Sequence, residues 1–449
     1  MAQDPLLDRG SANRQRNPWL WVPSLYFSQG IPYVIVMTMS VIMYKRLGLS
    51  NTDIALYTSS LNLPWVLKPL WSPIIDLKRT KRFWVVTMQF LIAGALALAA
   101  WSVTTRHFLG GSLALFLVMA FASATHGIAA DGFYMLSMSQ HDQAWWVGWR
   151  STFYRAATIV GSGLLVMLPG VLENRNVALD PKIRQDSPVQ FVAVAGNIPW
   201  AWSMTLYTVA GLFLMFSFWH SWVLPRPAGD GPVAAGGHLV AEFFATFGAF
   251  FQKPGVLMAV SFILLYRFDE AQLGKVISPF LLDGRLKGGL GLTTSQVGLA
   301  YGTFGIAALT CGGLLGGFTA AKYGLKTMLP IMAGTMYLPK LVFVFLSYRQ
   351  PENFPVVCAS VAAEQFGYGF GFTAFMLYML YFADGPRKTA HYAICTGFMA
   401  LGMMIPGLWS GWLADRLGYR RFFVWVICSA LPGLTMALLL KVDPRFGKK

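Results

Sequence analysis

Twelve runs of mostly apolar residues, each long enough to cross a lipid bilayer, follow one another along the chain. They fall near 19–43, 53–75, 83–103, 108–136, 150–172, 198–224, 255–282, 295–318, 327–347, 355–382, 390–414 and 422–441. A helical residue rises about 1.5 Å, so about 20 residues span a hydrocarbon core of about 30 Å. Backbone N–H and C=O groups find no water there and must bond within their own segment, which makes each run a helix. The remaining composition agrees. Of the 449 residues 55% are apolar and only 12% charged, where a water-soluble domain carries about 25% charged residues. The expected fold is therefore an all-α membrane protein of twelve transmembrane helices.

The first run is too long for a signal-peptide core and lacks a small-residue cleavage site, so it is expected to remain as the first span. The net charge of +16 does not point to nucleic acid, because the basic residues lie in short loops between spans rather than along one soluble face. They suit anionic lipid and topology control. Their modest excess in alternate loops, led by Lys78, Arg79, Lys81 and Arg82, places both termini in the cytoplasm by the positive-inside rule. Arg416, Arg420 and Arg421, between the last two runs, fall on the outer side in this arrangement. Cys311, Cys358, Cys395 and Cys428 all sit inside runs with no paired spacing, so neither a metal site nor a disulfide framework is expected.

The longest connection, 225–254, divides the runs six and six. It opens with Pro225, Pro227, Gly229, Gly231 and Pro232. Leu239, Phe243, Phe247, Phe250 and Phe251 then recur at helical spacing, which fits a helix lying flat at the cytoplasmic interface or packing as a lead-in to the seventh run. The expected organisation is a cytoplasmic tail (1–18), an N-terminal six-helix bundle (19–224), the linker (225–254), a C-terminal six-helix bundle (255–441) and a second cytoplasmic tail (442–449).

Six plus six helices about a cytoplasmic linker resembles the major facilitator superfamily, in which two bundles rock about a site near the midplane. Gly317, Lys322, Gly324 and Lys326 after the eighth run resemble its Gly-rich basic turn, as do Ser72, Pro73, Asp76, Lys78, Arg79, Lys81 and Arg82 after the second. Gly411, Asp415, Arg416, Gly418, Arg420 and Arg421 match the same turn although they fall outside. Within the superfamily, Gly30-Ile31-Pro32 together with Lys68-Pro69-Leu70-Trp71-Ser72-Pro73 and Asp76 resembles the AmpG-type muropeptide permeases. The likeness extends to the fourth run, where that family's two acids appear as Gly127 and Asp131, and to Tyr154-Arg155, Tyr266-Arg267-Phe268-Asp269-Glu270 and Glu364. The wider group is similar to siderophore importers of the RhtX and FptX kind and to acetyl-CoA transporters.

Ionised side chains near the bilayer centre cost about 2.5–3.5 kcal/mol each on insertion scales, so those present demand a partner, water or a function. Nine stand out: Lys68, Asp131, Arg155, Arg267, Asp269, Glu270, Lys275, Lys340 and Glu364. Equal depth makes Asp131 and Arg155 the expected pair. That pair is either a structural bridge or, through Arg155, a contact for an anionic solute. Arg267 and Glu270, three apart, share a face with Asp269 nearly opposite, while Lys275 lies at a depth close to Lys340 and Glu364. Desolvated carboxylates gain a proton more readily, so Asp269, Glu270 and Glu364 are candidate proton-coupling groups, with His126 a candidate relay. Lys68, Asp76, Lys275 and Lys340 are candidate charge-pair or gating groups. Tyr26, Gln29, Tyr33, Trp65, Asp131, Tyr154, Arg155, Tyr266 and Arg267 would suit a polar, sugar-sized ligand by stacking and hydrogen bonding. Gly30 with Pro32, and Gly367, Gly369 and Gly371, fit either gating bends or close packing. Gly312, Gly313, Gly316 and Gly317 favour packing.

These residues point to a secondary, proton-coupled importer (symporter) working by alternating access in a bacterial inner membrane. Its solute would be a muropeptide, cell-wall saccharide or similar polar anionic metabolite. A siderophore or acyl-CoA carrier and a non-translocating membrane receptor are the alternatives. No Gly-x-x-x-x-Gly-Lys-Ser/Thr phosphate loop, His-Glu-x-x-His pair or nucleophile turn occurs, so neither an ATP-driven pump nor an enzyme is expected. The expected partners are a small-molecule solute, a proton and the lipid bilayer, with no cofactor, no metal and a monomeric chain.

Overall fold

The computed structural model describes residues 17–138, 140–177, 197–227, 229–231, 239–385, 388–444 and 446. These residues are helical nearly throughout, with no strand among them. The first half holds α1 (Pro18–Arg46), α2 (Asn51–Ser60 continued by Leu63–Leu77), α3 (Lys81–Val103) and α4 (Phe108–Ser137). It ends with α5 (Gln140–Ile159 running on to Val177) and α6 (Asn197–Val223). After a linker helix (Leu239–Phe251) come α7 (Val256–Leu265 and Phe268–Leu282), α8 (Thr294–Tyr323), α9 (Leu325–Arg349) and α10 (Phe354–Ala383). The last two spans are α11 (388–417) and α12 (419–439), which run together as one helical stretch except at Gly418.

Nine of these helices are individually long and apolar enough to cross a membrane, and the bent pair at α7 makes ten. The count reaches twelve for two local reasons. Gly418, at φ 72°, turns the chain in the left-handed region open to glycine, so a 50-residue helical stretch is two spans. The α2 span is interrupted at Leu61 and Asn62. Twelve crossings return the chain to the face on which it began, here called the terminal face. On it Phe446 O accepts from Leu325 N, at the start of α9.

Helix starts follow from their capping residues. Thr80 accepts from Phe83 N, and the linker's Asp230 accepts from the N–H groups of Lys81 and Arg82 at 2.5 and 3.1 Å, placing a carboxylate on the positive end of α3. Thr293 and Gln296 form a reciprocal capping box at the start of α8. Three spans carry π-helical turns: Ile35–Met39 in α1, Val160–Leu164 in α5 and Leu299–Gly305 in α8. The first follows Pro32, which withholds a backbone N–H from the helix.

Within the first half α3 packs on α4 and α6. In the second, α8 packs on α10 and α7 on α11. The glycines expected as either bends or packing sites are packing sites. A Cβ on Gly369 would collide with Leu309 O in α8, one on Gly367 with Thr335 O in α9, and one on Gly312 with Phe366 O in α10. On Gly30 it would lie 2.8 Å from Ala157 Cβ in α5. The linker helix is bent 94° from α7 and buries Phe250 against Phe382, His391 and Phe398 of α10 and α11.

The halves meet along α2–α11 and α5–α8. Near the face opposite the termini both seams are shut. A Cβ on Gly302 would collide with Gly163, and one on Gly411 with Asn51 O. Thr52 donates from N and Oγ1 to Asp415 at 2.8 and 2.7 Å, and Asn51 Nδ2 donates to Tyr419 at 3.1 Å. Lys45 pairs with Asp283 at 2.6 Å, and Glu173, paired with Arg46 at 2.8 Å, accepts from Thr294 Oγ1 at 3.2 Å.

Candidate functional site

On the terminal side of this closure α1 and α5 enclose a cavity of about 270 Å³ lined by Tyr26, Gln29, Arg150, Tyr154 and Arg155. Four of the five were expected as solute contacts. The fifth, Arg150, was not, and it corrects the expected Asp131–Arg155 pair: Arg150 Nη2 lies 2.9 Å from Asp131 Oδ1. The reason is register. Hydropathy starts the fifth span at residue 150, but the polar stretch before it is helical from Gln140, so Arg150 is already well inside α5 and level with Asp131. Arg150 also lies over the rings of Tyr26 and Tyr134, at 4.6 and 5.2 Å. Arg155 is left exposed, with no carboxylate in ion-pair range among the described residues. Its guanidinium reaches towards Gly313 of α8, in the other half.

Deeper in, Tyr33 and Trp65 form an edge-to-face pair between α1 and α2, with ring centroids 5.5 Å apart. Lys68 of α2 and Gln29 of α1 converge on Gly127 of α4: a Cβ there would lie 3.2 Å from Gln29 Nε2 and 3.5 Å from Lys68 Nζ. His126, next to Gly127 in the chain, joins a buried hydrogen-bonded chain that crosses four helices. Its Nε2 is 3.0 Å from Gln89 Nε2, Gln89 Nε2 also donates to Ser28 Oγ at 3.1 Å, Gln89 Oε1 is 2.9 Å from His220 Nδ1, and His220 Nε2 is 2.8 Å from Ser24 Oγ. One set of tautomers satisfies every link: Gln89 donates to His126, His220 Nδ1–H donates to Gln89, and Ser24 donates to His220. Gln89 and His220 were not singled out in the sequence, where nothing ties residues 131 positions apart.

The second half builds a separate charged cluster. The α7 helix breaks at Arg267, whose backbone is non-helical at φ −113° and ψ 20°, so Asp269 and Glu270 occupy the first turn of a new helix and face its positive end. Lys340, in the short 3-10 turn inside α9, reaches both: 2.6 Å to Asp269 Oδ2 and 2.9 Å to Glu270 Oε2. Asp269 was expected nearly opposite the face shared by Arg267 and Glu270; the break takes Arg267 off that face, and the two acids, neighbours about 100° apart in one first turn, both meet Lys340. Glu364 of α10 is fully buried, accepts from Gln365 Nε2 at 2.8 Å, and keeps its Oε1 without a hydrogen-bond partner among the described residues. Arg267 donates to Tyr368 OH at 2.5 Å and lies 4.9 Å from the Phe372 ring centroid.

One expected solute contact lies elsewhere. Tyr266 is not a cavity residue. It is fully buried in the second half, stacked on Phe375 at 5.3 Å, donating to Gly371 O and taking Tyr337 OH on its own carbonyl. Lys275, expected as a charge-pair or gating group, faces the seam between halves, where Nζ donates to Thr58 Oγ1 of α2 at 3.1 Å. The Asp76 side chain lies outside the described residues. No group of His, Cys, Asp and Glu suited to a metal ion occurs among the described residues, and the four cysteines are free.

The chain can now be set beside known proteins. Residues 270–449 match the family model described as Major Facilitator Superfamily, and residues 29–177 match that of the BT1 family. A putative transporter AmpG 4 of Rickettsia felis is 23% identical over 431 residues, covering 92% of this chain and 93% of the relative. The anhydromuropeptide permease of Escherichia coli is 21% identical over 429 residues, covering 93% of this chain and 78% of that protein. Among solved structures, a bacterial homologue of the lysosomal transporter Spinster, in an inward-facing and unoccupied conformation, superposes with TM-score 0.69 at 14% identity over 96% of this chain and 97% of that one. A D-xylose–proton symporter does so with TM-score 0.66 at 12% identity, over 95% and 98%. With twelve spans in two six-helix halves, this chain is a multi-pass membrane transporter, not an enzyme; it has the fold of the major facilitator superfamily, matches that superfamily's model over residues 270–449, and has AmpG-type permeases among its relatives.

Proposed function

We propose that the protein imports a muropeptide or similar anionic cell-wall saccharide across the bacterial inner membrane together with protons, by alternating access, with both termini and the linker helix in the cytoplasm. The observation that carries this reading is the cavity on the terminal side. Among the described residues Arg155 has no counter-charge there and Arg150 is matched by Asp131 alone, and the opposite face is shut by cross-half hydrogen bonds and ion pairs. A polar cavity with one surplus guanidinium, that of Arg155, suits a carboxylate, and Tyr26 and Tyr154 offer sugar rings flat surfaces and hydroxyls. In the alternating-access cycle this is the cytoplasm-facing state, and solute entry needs the Lys45–Asp283 and Thr52–Asp415 contacts to part.

Proton coupling is assigned to the Asp269–Glu270–Glu364 cluster. Asp269 and Glu270 share one ammonium, Lys340, and the fully buried Glu364 has no ion pair among the described residues, so the cluster carries more carboxylates than cations, an excess that a bound proton would balance. His126, bound into the Gln89 chain, is given to the packing of the first half. The decisive experiment is uptake of labelled anhydromuropeptide into proteoliposomes with and without an inward proton gradient. Gradient-driven accumulation is expected. Binding without accumulation would make the protein a receptor, and competition by a siderophore or acyl-CoA but not by muropeptide would move it to the wider group's other carriers.

A further inference from the structure

Lys68, Gln29 and Gly127 come from three different helices and point at one gap. The Lys68 ammonium is half-buried, and no carboxylate lies within ion-pair range of it among the described residues. Gln29 lines the cavity, and its Oε1 is buried with no hydrogen-bond partner. Gly127 is buried, and its missing side chain leaves open the space on which both polar heads converge, 3.2 and 3.5 Å from where a Cβ would stand. A half-buried ammonium without a counter-charge and a buried amide carbonyl without a donor are each unfavourable alone. One ligand group answers both: an anionic oxygen that accepts from Lys68 Nζ and from the Gln29 Nε2 facing the same gap, with an adjacent N–H or O–H donating to Gln29 Oε1.

We propose that Lys68, Gln29 and Gly127 form a subsite for a carboxylate of the solute flanked by a hydrogen-bond donor, with Gly127 setting the specificity by adding no charge of its own beside Lys68. The subsite rests on reading the cavity as the solute path. An aspartate at 127 would place its own carboxylate on Lys68 and close the subsite, whereas a methyl group there meets the far ends of two flexible side chains, Gln29 Nε2 at 3.2 Å and Lys68 Nζ at 3.5 Å, both of which can give way.

Two independent measurements test this. In proteoliposomes loaded by a proton gradient, labelled anhydromuropeptide uptake should show KM raised about ten-fold by Gly127→Asp and by Lys68→Gln, the scale of one charge-assisted hydrogen bond. Lys68→Arg should restore most of the affinity, Gly127→Ala should stay near wild type, and Gly127→Asn, equal in size to aspartate but uncharged, should cost much less than Gly127→Asp. Equal damage from Gly127→Asn and Gly127→Asp, or wild-type KM in Lys68→Gln, would overturn the subsite. The second measurement needs no transport. In a background with Cys311 and Cys428 replaced by serine, Gly127→Cys should react several-fold faster with an anionic methanethiosulfonate reagent than with a cationic one, and Lys68→Gln should remove that preference. If wild type fails to accumulate muropeptide, the proposed function falls while the reagent preference still decides the subsite; no preference in Gly127→Cys overturns it.

Discussion

Lys45, at the end of α1, and Asp283, just past the end of α7, are joined Nζ to Oδ2 at 2.6 Å, tying the first half of the protein to the second. Tyr419 donates to the same Asp283 oxygen at 2.5 Å and takes a hydrogen bond from Asn51, so one carboxylate gathers α1, α2, α7 and α12. Both ion-pair side chains are 13% exposed. The pair therefore lies between a surface bridge, worth up to about 1 kcal/mol, and a buried one, whose disruption costs about 3–5 kcal/mol.

Asp283→Asn should loosen this closure by about 1–2 kcal/mol, a roughly 5- to 30-fold shift towards separated halves. The measurement is the labelling rate of a Ser59→Cys probe, which sits behind the closure in α2, with a membrane-impermeant thiol reagent applied from the opposite face. The rate should rise in Asp283→Asn and fall back when Lys45→Asp is combined with Asp283→Lys. An unchanged rate would show that the pair does not hold the face shut.

At the α5–α8 seam Gly163 and Gly302 touch backbone to backbone, and a Cβ on Gly302 would meet Gly163 Cα and N together with the Ser162 carbonyl carbon. Backbone cannot swing aside as a long side chain can. Gly302→Leu should therefore fold and purify normally yet hold the halves apart on that side. Uptake should drop at least ten-fold, with the same Ser59→Cys probe labelled faster. Loss of folded yield instead, judged by gel filtration in detergent, would mean the contact is needed to assemble the half rather than to close the seam.

Removing Lys340 strands two buried carboxylates. Lys340→Met should lower stability by about 3–5 kcal/mol, read as a large fall in Tm in detergent at neutral pH. Lys340→Met with Asp269→Asn and Glu270→Gln removes the charges together and should recover much of that loss while leaving uptake insensitive to the proton gradient. If the triple variant still couples, Glu364 alone carries the proton.

Spans and halves were legible because lipid allows almost nothing but apolar helices, and twenty-residue runs can be counted directly. Side-chain partners were not, and the reasons are local. Asp131 was given to Arg155 because the amphipathic start of α5, from Gln140, is too polar to read as part of a span, which set the depth scale wrong and hid Arg150. Asp269 was set opposite the face of Arg267 and Glu270 by assuming a continuous α7, whereas the break separates Arg267 from that face and Lys340, on another helix, reaches both neighbouring acids. Tyr266 matched a motif but is claimed by Gly371, Phe375 and Tyr337, contacts that only tertiary packing reveals. The Gln89 chain joins α1, α3, α4 and α6 through side chains far apart in sequence, and no periodicity announces it.

That chain gives a test separating packing from proton relay. Gln89 is fully buried and serves His126, His220 and Ser28 at once. Gln89→Leu leaves two imidazoles and a hydroxyl short of partners inside the first half, at about 1–3 kcal/mol for each unsatisfied group. Tm should fall clearly for Gln89→Leu and less for His126→Gln, which keeps a hydrogen-bonding amide in place. A packing role predicts that gradient-driven uptake per folded molecule survives in His126→Gln with an unaltered pH profile. A shifted profile at unchanged Tm would return His126 to the proton path and reduce the share assigned to Glu364.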